Sequence, residues 1–342
     1  MSKIVLLGEL MLRLSPPEHN RFLQAESFEV NYGGAEANVA AALAQLGHEV
    51  TYVTKLPAND LGDAALNNLR KCGVNCSYIV RGGNRLGVYY LENGASVRPS
   101  KVIYDRDESA FATADISEFD FDNIFKGANL LHVSGITPVL TDGTAAITME
   151  ALKKAKEYGV TISFDLNYRE KLWTKHVSKK QKMLSDMMEY VDICFGNARD
   201  AAKCLGYKEE NMDFLKCDYR YCVDPEHMNN VLKYYSFDYL VTTLRQNKSA
   251  SRNGFSAAVC SKEGLYKGHV YDLEIVDRVG SGDALAAGFL HSILAGKGRE
   301  SALEFAIAAA ALKHTMPGDI SFFCEAEILR LIENYEGAQV VR

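Results

Sequence analysis

The chain has 342 residues, of which 47% are hydrophobic and 24% charged, a composition typical of a globular protein and not of a disordered or fibrous one. A formal net charge of −6 without clustered lysine and arginine argues against a nucleic-acid surface. The start "MSKIVLLGELMLRL" is interrupted by Glu9, no later stretch reaches transmembrane length, and the eight cysteines form no regular framework, so we expect a cytoplasmic protein with no membrane partner.

Short apolar runs alternate with amphipathic helical segments, which predicts a parallel sheet wound by helices. The predicted strands are "KIVLLG", "EVTYVT", "NLLHVSG", "VTISFDL", "VDICFGN" and "YLVTTL". The apolar period predicts helices over 36–46, 60–72, 142–157, 178–190, 197–205 and 283–296. An alanine-rich helix beyond residue 299 and a last helix in "CEAEILRLIENY" follow. We expect one α/β domain spanning residues 1–342.

Two ranges interrupt this rhythm, residues 10–33 and residues 86–105, and β-forming residues alternate in the second around an Asn-Gly turn. Both lie between units of the main sheet. We therefore expect them to form a small separate sheet, a lid over the carboxyl ends of the strands, where such sheets bind ligands. The polar, tyrosine-rich segment 207–234 is interpreted as a solvated insertion.

The stretch "DRVGSGDALAAGF" places a glycine turn at the start of a predicted helix; its residues are Gly280, Ser281, Gly282 and Asp283. Unpaired N–H groups and the helix dipole favour an anion there, and glycine lets a phosphate approach the backbone. Asp283 has the position of a general base for an attacking hydroxyl, while simple helix capping is the alternative. The chain has neither the P-loop nor the dinucleotide-binding glycine pattern.

A second glycine pair, Gly33 and Gly34 in "NYGGAEANVA", precedes a helix that carries Asn38 one turn in. The "GE" after the first strand, "GGAEANVA", "DLNYREKLW", "FGNARD" and "DRVGSGD" together resemble, in order and spacing, the ribokinase-like (PfkB) family of carbohydrate kinases. The resemblance implies a three-layer α/β/α domain with a β-sheet lid. It also implies magnesium-assisted transfer of the ATP γ-phosphate to a sugar hydroxyl, with Asp283 as base and residues 280–282 as the anion hole.

Within that family the sequence looks most like the 2-keto-3-deoxygluconate kinases, on "GELMLRLSP", "YDRDESA" and "DLNYREKLW". The resemblance assigns Tyr104, Arg106 and Arg169 to the acid sugar or to the transferred phosphate. A sugar carboxylate suits a planar guanidinium, although Arg106 could instead pair with Asp105 or Asp107. The other substrate-binding candidates are Glu9, Gly33, Gly34, Asn38 and Tyr90.

Two of these candidates have a structural alternative. Asn38 could bond the helix backbone instead of serving the sugar site. Tyr90 could pack inside the lid without reaching the substrate.

The nucleotide and metal candidates depart in part from the family pattern. Asn197 and Asp200 stand where the family usually carries Asn-x-x-Glu, which helps to organise magnesium and phosphates, and Asp200 would act through a water because it is shorter. Arg245, with Lys248 and Arg252, could contact nucleotide phosphates or lie on a solvated hairpin.

Two further candidates lie near the carboxyl end of the chain. Lys313 lies where the family lines its adenine pocket, and the small residues of "IAAAA" leave room for a flat base or serve close helix packing. Asp277 is the candidate ligand for the monovalent cation, such as K⁺, that many members bind near the catalytic loop.

Alternative functions remain at this point. A fructokinase, or a kinase of another neutral ketose, would keep the reaction and change the acceptor. A catalytically silent sugar-binding protein would keep only the fold. Because lid sheets of the family often pair and so protect their edges, we expect a homodimer through the lid.

Overall fold

The computed structural model describes residues 1–208 and 223–333, and the apolar runs in these ranges form extended strands. In chain order the strands are β1 (Lys3–Leu7), β2 (Met11–Ser15), β3 (Glu29–Gly33), β4 (Glu49–Val53), β5 (Lys55–Leu56), β6 (Val80–Arg81), β7 (Val88–Glu92), β8 (Lys101–Asp105), β9 (Leu130–Ser134), β10 (Thr161–Asp165), β11 (Ile193–Phe195), β12 (Tyr239–Asn247), β13 (Arg252–Ser261), β14 (Gly264–Lys267) and β15 (Tyr271–Glu274).

The segments with a helical period form helices whose ends lie close to the predicted ones. The helices are α1 (Ala35–Gln45), α2 (Asp60–Lys71), α3 (Phe121–Phe125), α4 (Ile136–Leu140), α5 (Asp142–Glu157), α6 (Val177–Met187), α7 (Ala198–Leu205), α8 (Pro225–Tyr235), α9 (Ser281–Leu294), α10 (Arg299–Lys313) and α11 (Glu325–Glu333). None of the helices in these described ranges combines the length and apolarity needed to cross a bilayer.

The main sheet has nine strands, in the order β14-β13-β12-β11-β10-β9-β1-β4 with β15 beside β13. Neighbouring strands from β4 to β12 run parallel, and β13 is antiparallel to β12. Side chains of β1 alternate between two cores: Ile4 and Leu6 pack on the side of α1, α9 and α10, and Val5 and Leu7 on the side of α5. The predicted three-layer α/β/α class is confirmed.

A second sheet of four strands, in the order β3-β2-β7-β8, lies within residues 10–33 and 86–105. Because side chains alternate across a strand, it presents two different faces. One row runs in register across the outer face, formed by Val30, Leu14, Tyr90 and Ile103. Tyr89 and Tyr104 are paired on the opposite face. This inner face lines a cavity between the two sheets, called the main cavity below.

Segment 207–234 is not entirely a solvated insertion. Residues 225–235 form α8, which begins at its cap Asp224 and buries Met228, Val231 and Leu232 against the core beneath β12 and β13. That part of the prediction was wrong because three apolar residues at helical spacing lie among the polar ones. Residues 209–222 lie outside the described part of the chain.

The alanine-rich segment "IAAAA" serves close helix packing. A Cβ atom on Gly288 of α9 would lie 2.9 Å from Cα of Ala306 on α10, and Ala308, Ala309 and Ala310 are fully buried. The two helix backbones therefore approach too closely to leave room for a flat base between them.

Candidate active site

The main cavity lies between the carboxyl ends of the parallel strands and the inner face of the second sheet, and its volume is about 820 Å³. The main sheet contributes Asp165 and Gly196, and the second sheet contributes Tyr89 and Tyr104. The turn that precedes α9 closes one end. This placement follows from the fold, because loops at the carboxyl ends of parallel strands converge on one edge.

The turn before α9 presents backbone N–H groups to this cavity. Gly280 has φ +80°, and a Cβ atom on it would lie 2.2 Å from the carbonyl oxygen of Asp319, so only glycine fits. A Cβ on Gly282 would meet open space. First-turn N–H groups have no carbonyl one turn earlier in the helix, and the helix dipole adds positive potential. The turn is suited to an anion.

Asp283 lies on the cavity wall in the first turn of α9. Burial, together with the charges of Glu36 and Asp319, raises the pKa of its carboxyl, the Asn38 hydrogen bond and the Arg169 charge lower it, and the pKa that results is about 6. Asn38 Nδ2 donates to Asp283 Oδ2 at 2.7 Å. The carboxylate is thus ionised at neutral pH and basic enough to accept a proton.

The sequence offered two roles for Asn38, in the sugar site or bonded to the helix backbone. In the structure its side chain contacts both the backbone and the Asp283 carboxylate. Its Oδ1 atom accepts a hydrogen bond of 3.5 Å from the backbone of Gly34, while its amide holds the Asp283 carboxylate. Gly34 itself is in close contact, because a Cβ on it would lie 2.1 Å from the carbonyl oxygen of Glu9. The two glycine segments meet at this amide.

Arg106 and Glu9, which both line the cavity, form a buried ion pair. Arg106 Nε donates to Glu9 Oε2 at 2.8 Å and Nη2 donates to the same oxygen, while the hydroxyl of Ser109 donates to Glu9 Oε1. The suggested pairing of Arg106 with its neighbours in sequence is wrong, because Asp105 binds Arg85 at 2.8 Å. Glu9 holds the guanidinium in place.

Tyr90 is not at the cavity, and its assignment to the substrate is wrong. It lies on the outer face of the second sheet, in edge contact with the rings of Phe22 and Phe28. Its neighbour Tyr89 faces the cavity and pairs directly with Tyr104 across the strands. Opposite residues of paired strands share a face. Pairing the strands so that Tyr104 lies opposite Tyr89 would therefore have identified Tyr89 as the cavity residue.

Three arginine side chains line the cavity near the turn that precedes α9. Arg245 Nη2 donates to Ser281 Oγ at 3.3 Å, and its burial, with repulsion from Arg278 and Arg169, lowers its pKa to about 10, so it stays charged. Arg169 is exposed and lines the cavity. Arg278, which the sequence did not identify, also lines it and donates to the carbonyl of Ala250 at 2.9 Å.

The basic residues of the neighbouring hairpin separate into two groups. Lys248 and Arg252 both bind Asp272, at 3.0 and 2.8 Å, on an exposed surface. The interpretation as a solvated hairpin therefore holds for these two, and Arg245 alone of the three turns into the cavity.

Two carboxylates of the cavity have the chemistry that magnesium prefers. Asp200 and Asn197 form a reciprocal cap at the start of α7, with N···O distances of 2.9 and 3.0 Å. Asp200 also lines the main cavity, whereas the side-chain oxygen of Asn197 caps the helix, and the nucleotide role of Asn197 stays a prediction. Asp165, which the sequence did not identify, lines the cavity and accepts from the Asn167 backbone at 2.9 Å.

In residues 1–208 and 223–333, no three His, Cys, Asp or Glu side chains form a group that could hold a metal ion. Magnesium usually keeps several waters and binds phosphate oxygens with only one or two carboxylates. One free oxygen on each of Asp165 and Asp200 fits that requirement.

The contacts of two further candidates differ from their expected roles, Asp277 as a cation ligand and Lys313 as part of an adenine pocket. Asp277 Oδ1 accepts from the backbone of Val279, and Oδ2 accepts from the backbone of Gly318 and from Arg13, at 3.0, 3.1 and 2.7 Å, so the guanidinium charge of Arg13 already lies beside this carboxylate and disfavours a second cation there. Lys313 is fully buried and donates to the carbonyl of Met316 at 3.0 Å. It lies behind the glycine turn and not in an adenine pocket.

The match to known proteins covers almost the whole chain. Residues 1–325 match the model of the family described as pfkB family carbohydrate kinase. The chain belongs to this family. The family resemblance of the sequence is thereby confirmed for this pfkB kinase.

Three relatives of this pfkB kinase are informative. The crystal structure of 2-dehydro-3-deoxygluconokinase from Thermotoga maritima has 46% identity and a TM-score of 0.91, over 98% of this chain and 100% of that one. The 2-dehydro-3-deoxygalactonokinase of Haloferax volcanii is 34% identical over 97% of this chain and 96% of its own length. The 2-dehydro-3-deoxygluconokinase of Bacillus subtilis is 28% identical, over 92% and 90%.

The Asn38 contact predicts a pH effect in this pfkB kinase. The hydrogen bond from Asn38 lowers the pKa of Asp283 from a value that burial has raised. Asn38→Leu should therefore move the acidic limb of the kcat–pH profile above about pH 6, because a base loses activity as the pH falls through its pKa. The measurement is kcat between pH 5 and 9. The exposed Asn67→Leu is the control, and an unshifted limb in folded Asn38→Leu would contradict the assignment.

Proposed function

We propose that this pfkB kinase transfers the γ-phosphate of ATP to a hydroxyl of 2-keto-3-deoxygluconate or a similar acid sugar. The observation that carries the proposal is the joint presence, in one cavity, of the Asp283 carboxylate beside a turn suited to an anion and of a buried guanidinium, Arg106. Relatives named for kinases of 2-dehydro-3-deoxy acid sugars support the same acceptor class.

The charges at the sugar end favour an acid over a neutral sugar. Glu9 takes two donor atoms of Arg106 and offsets its charge, and this leaves Nη1, which has no hydrogen-bond partner among residues 1–208 and 223–333. Arg169 supplies an exposed positive charge on the same cavity. A planar guanidinium that is already oriented binds a carboxylate at a low entropic cost.

The proposed transfer uses groups that lie at the turn. Asp283 takes the proton of the acceptor hydroxyl as that oxygen attacks the γ-phosphorus, while ADP leaves on the opposite side. Backbone N–H groups at the start of α9, with Arg245, stabilise the charge on the phosphoryl oxygens. Asp200, with Asp165 nearby, would hold magnesium, which when bound neutralises phosphate charge.

Removing the base tests the transfer step. Asp283→Asn keeps the shape and the Asn38 contact, yet it cannot accept the proton, so kcat should fall by about 10²- to 10⁴-fold with little change in ADP affinity. A coupled ADP-release assay and calorimetry with ADP measure the two quantities. Asp142→Asn, on an exposed ion pair with Lys179, is the control. Turnover of Asp283→Asn within a few-fold of wild type would refute the base.

The acceptor is tested with a panel of 2-keto-3-deoxygluconate, 2-keto-3-deoxygalactonate, fructose and ribose. Arg106→Ala should lower kcat/KM for the acid sugars by about 10²-fold or more, since it removes a charge-assisted contact, with the KM for ATP little changed. Arg85→Ala, on the exposed pair with Asp105, is the matched control. Turnover of fructose alone would favour a ketose kinase, and no turnover at all would favour a silent binding protein.

We also propose a homodimer through the outer face of the second sheet. Val30 and Ile103 are 58% and 42% exposed at the two edges of the apolar row that also contains Leu14 and Tyr90. A sheet with an exposed apolar row and two edge strands is protected when it pairs with a copy of itself.

The dimer predicts a definite effect of charge on that row. Val30→Glu with Ile103→Glu should convert a particle with the mass of two chains into a single chain, because each copy would bury unpaired carboxylates at the interface. Sedimentation velocity measures the mass. Val177→Glu, an exposed apolar position on α6, should remain dimeric, and a wild type that sediments as one chain at micromolar concentration would contradict the proposal.

A further inference from the structure

Arg13, on β2 of the second sheet, lies directly behind the glycine turn and not in the cavity. It is 2% exposed, although arginine is rarely buried unless it is paired. Nη2 donates to Asp277 Oδ2 at 2.7 Å, Nη1 to Asp319 Oδ2 at 2.9 Å, and Nε to Ser15 Oγ at 2.9 Å. One guanidinium therefore joins two carboxylates that are far apart in sequence.

Both carboxylates are attached to the turn that precedes α9. Asp277 accepts hydrogen bonds from the backbone of Val279 and Gly318. The carbonyl of Asp319 occupies the space that a side chain on Gly280 would need. The position of the turn therefore depends on where these two aspartates are held.

The second sheet contributes a second contact to the same group. The Tyr89 hydroxyl donates to Asp319 Oδ1, and the Asp319 side chain also fills the space above Gly33, where a Cβ atom would lie 2.2 Å from Oδ1. Strands β2, β3 and β7 thus all touch the aspartate whose carbonyl packs against the turn.

The charges behind the turn need compensation. The negative charge of Asp319 is felt at Asp283, and both Asp277 and Asp319 line the cavity that would receive phosphates. Without a positive partner, two carboxylates at this position would repel an anion and each other. Arg13 supplies a fixed positive charge there, and Lys313 lies close by without an ion pair of 4 Å or less in the described ranges.

We propose that Arg13 is a positioning residue for phosphoryl transfer: its guanidinium holds the 279–282 turn against the second sheet and replaces a bound monovalent cation as the positive charge behind that turn. The inference rests on the proposed transfer at this turn. A permanent guanidinium with two carboxylate partners has defined directions, which an exchangeable ion lacks. Displacement of the turn by a fraction of an ångström would weaken its contacts to the phosphoryl group.

Arg13→Ala tests the proposal, with Arg13→Lys as the conservative variant. Arg81→Ala, which removes an arginine from the surface pair with Asp63, is the matched control. The readouts are kcat and the acceptor KM in the ADP-release assay, the dissociation constant of ADP by calorimetry, and thermal unfolding. Each is measured in KCl, in tetramethylammonium chloride and with added methylguanidinium.

We expect wild type and Arg81→Ala to be equally active in KCl and in tetramethylammonium chloride. In Arg13→Ala, kcat should fall about 100-fold and ADP should bind about tenfold more weakly, while the acceptor KM stays within about threefold. Added methylguanidinium should raise the kcat of Arg13→Ala about fivefold or more, because it can enter the vacated space. It should not raise the kcat of the other proteins. Arg13→Lys should be intermediate, since a single ammonium cannot bridge both carboxylates in the same geometry.

Three results would overturn the proposal. One is an Arg13→Ala protein whose kcat and ADP affinity lie within about threefold of wild type. Another is an Arg13→Ala protein in which kcat falls, the acceptor KM rises and ADP binding weakens by equal factors, with no recovery in methylguanidinium. That result would indicate a merely structural role. The third is strong activation of the wild type by K⁺. If Arg13→Ala does not fold, Arg13→Lys at wild-type kcat and ADP affinity overturns the proposal in the same way.

These results are distinguishable from failure of the proposed function. A wild type that phosphorylates no acceptor would refute the transfer reaction, whereas the ADP affinities of wild type and Arg13→Ala, and their recovery with methylguanidinium, still report on the turn. Loss of ADP affinity that methylguanidinium restores would support the role of Arg13 in that case, and an unchanged affinity would overturn it.

Discussion

Compensation of negative charge governs the site at the start of α9. Asp283, Asp165 and Asp319 line one cavity, and burial raises the pKa of each. A site with this many carboxylates can accept a phosphate only if positive groups outweigh them locally. The open N–H groups of the turn and three converging arginines supply that potential in front of the turn, and Arg13 supplies it behind.

The second sheet contacts the site at two places, and the alternation of its side chains between two faces explains how. The inner face presents Tyr89 and Arg13 to the aspartates behind the turn, and Tyr104 to the end where Arg106 binds Glu9. The outer face of the same strands carries the apolar row of Val30, Leu14, Tyr90 and Ile103. One short sheet thus contacts both the Arg106–Glu9 pair and the turn that precedes α9, because residues two apart on a strand share a face.

Close approach of backbones gives this arrangement its rigidity. The turn contacts Asp319 only because Gly280 has no side chain, and α9 contacts α10 through Gly288 against Ala306. Glycine costs conformational entropy on folding, and burial of the surrounding alanines and leucines offsets that cost. The small residues therefore fix the position of the α9 N-terminus, where a displacement of an ångström would change contacts to a phosphoryl group.

The layered fold, most helix and strand positions, the glycine turn before α9 and the family could be predicted from the sequence, because these depend on local period and short motifs. It did not determine which partner each charged side chain takes. Arg106 binds Glu9, 97 positions away, instead of a neighbouring aspartate, and Arg13 binds Asp277, 264 positions away. Tyr89 and not Tyr90 faces the cavity, which a register of one residue decides. Only the tertiary structure decided these pairings, because they depend on how distant strands and loops are brought together, and no local period encodes that distance.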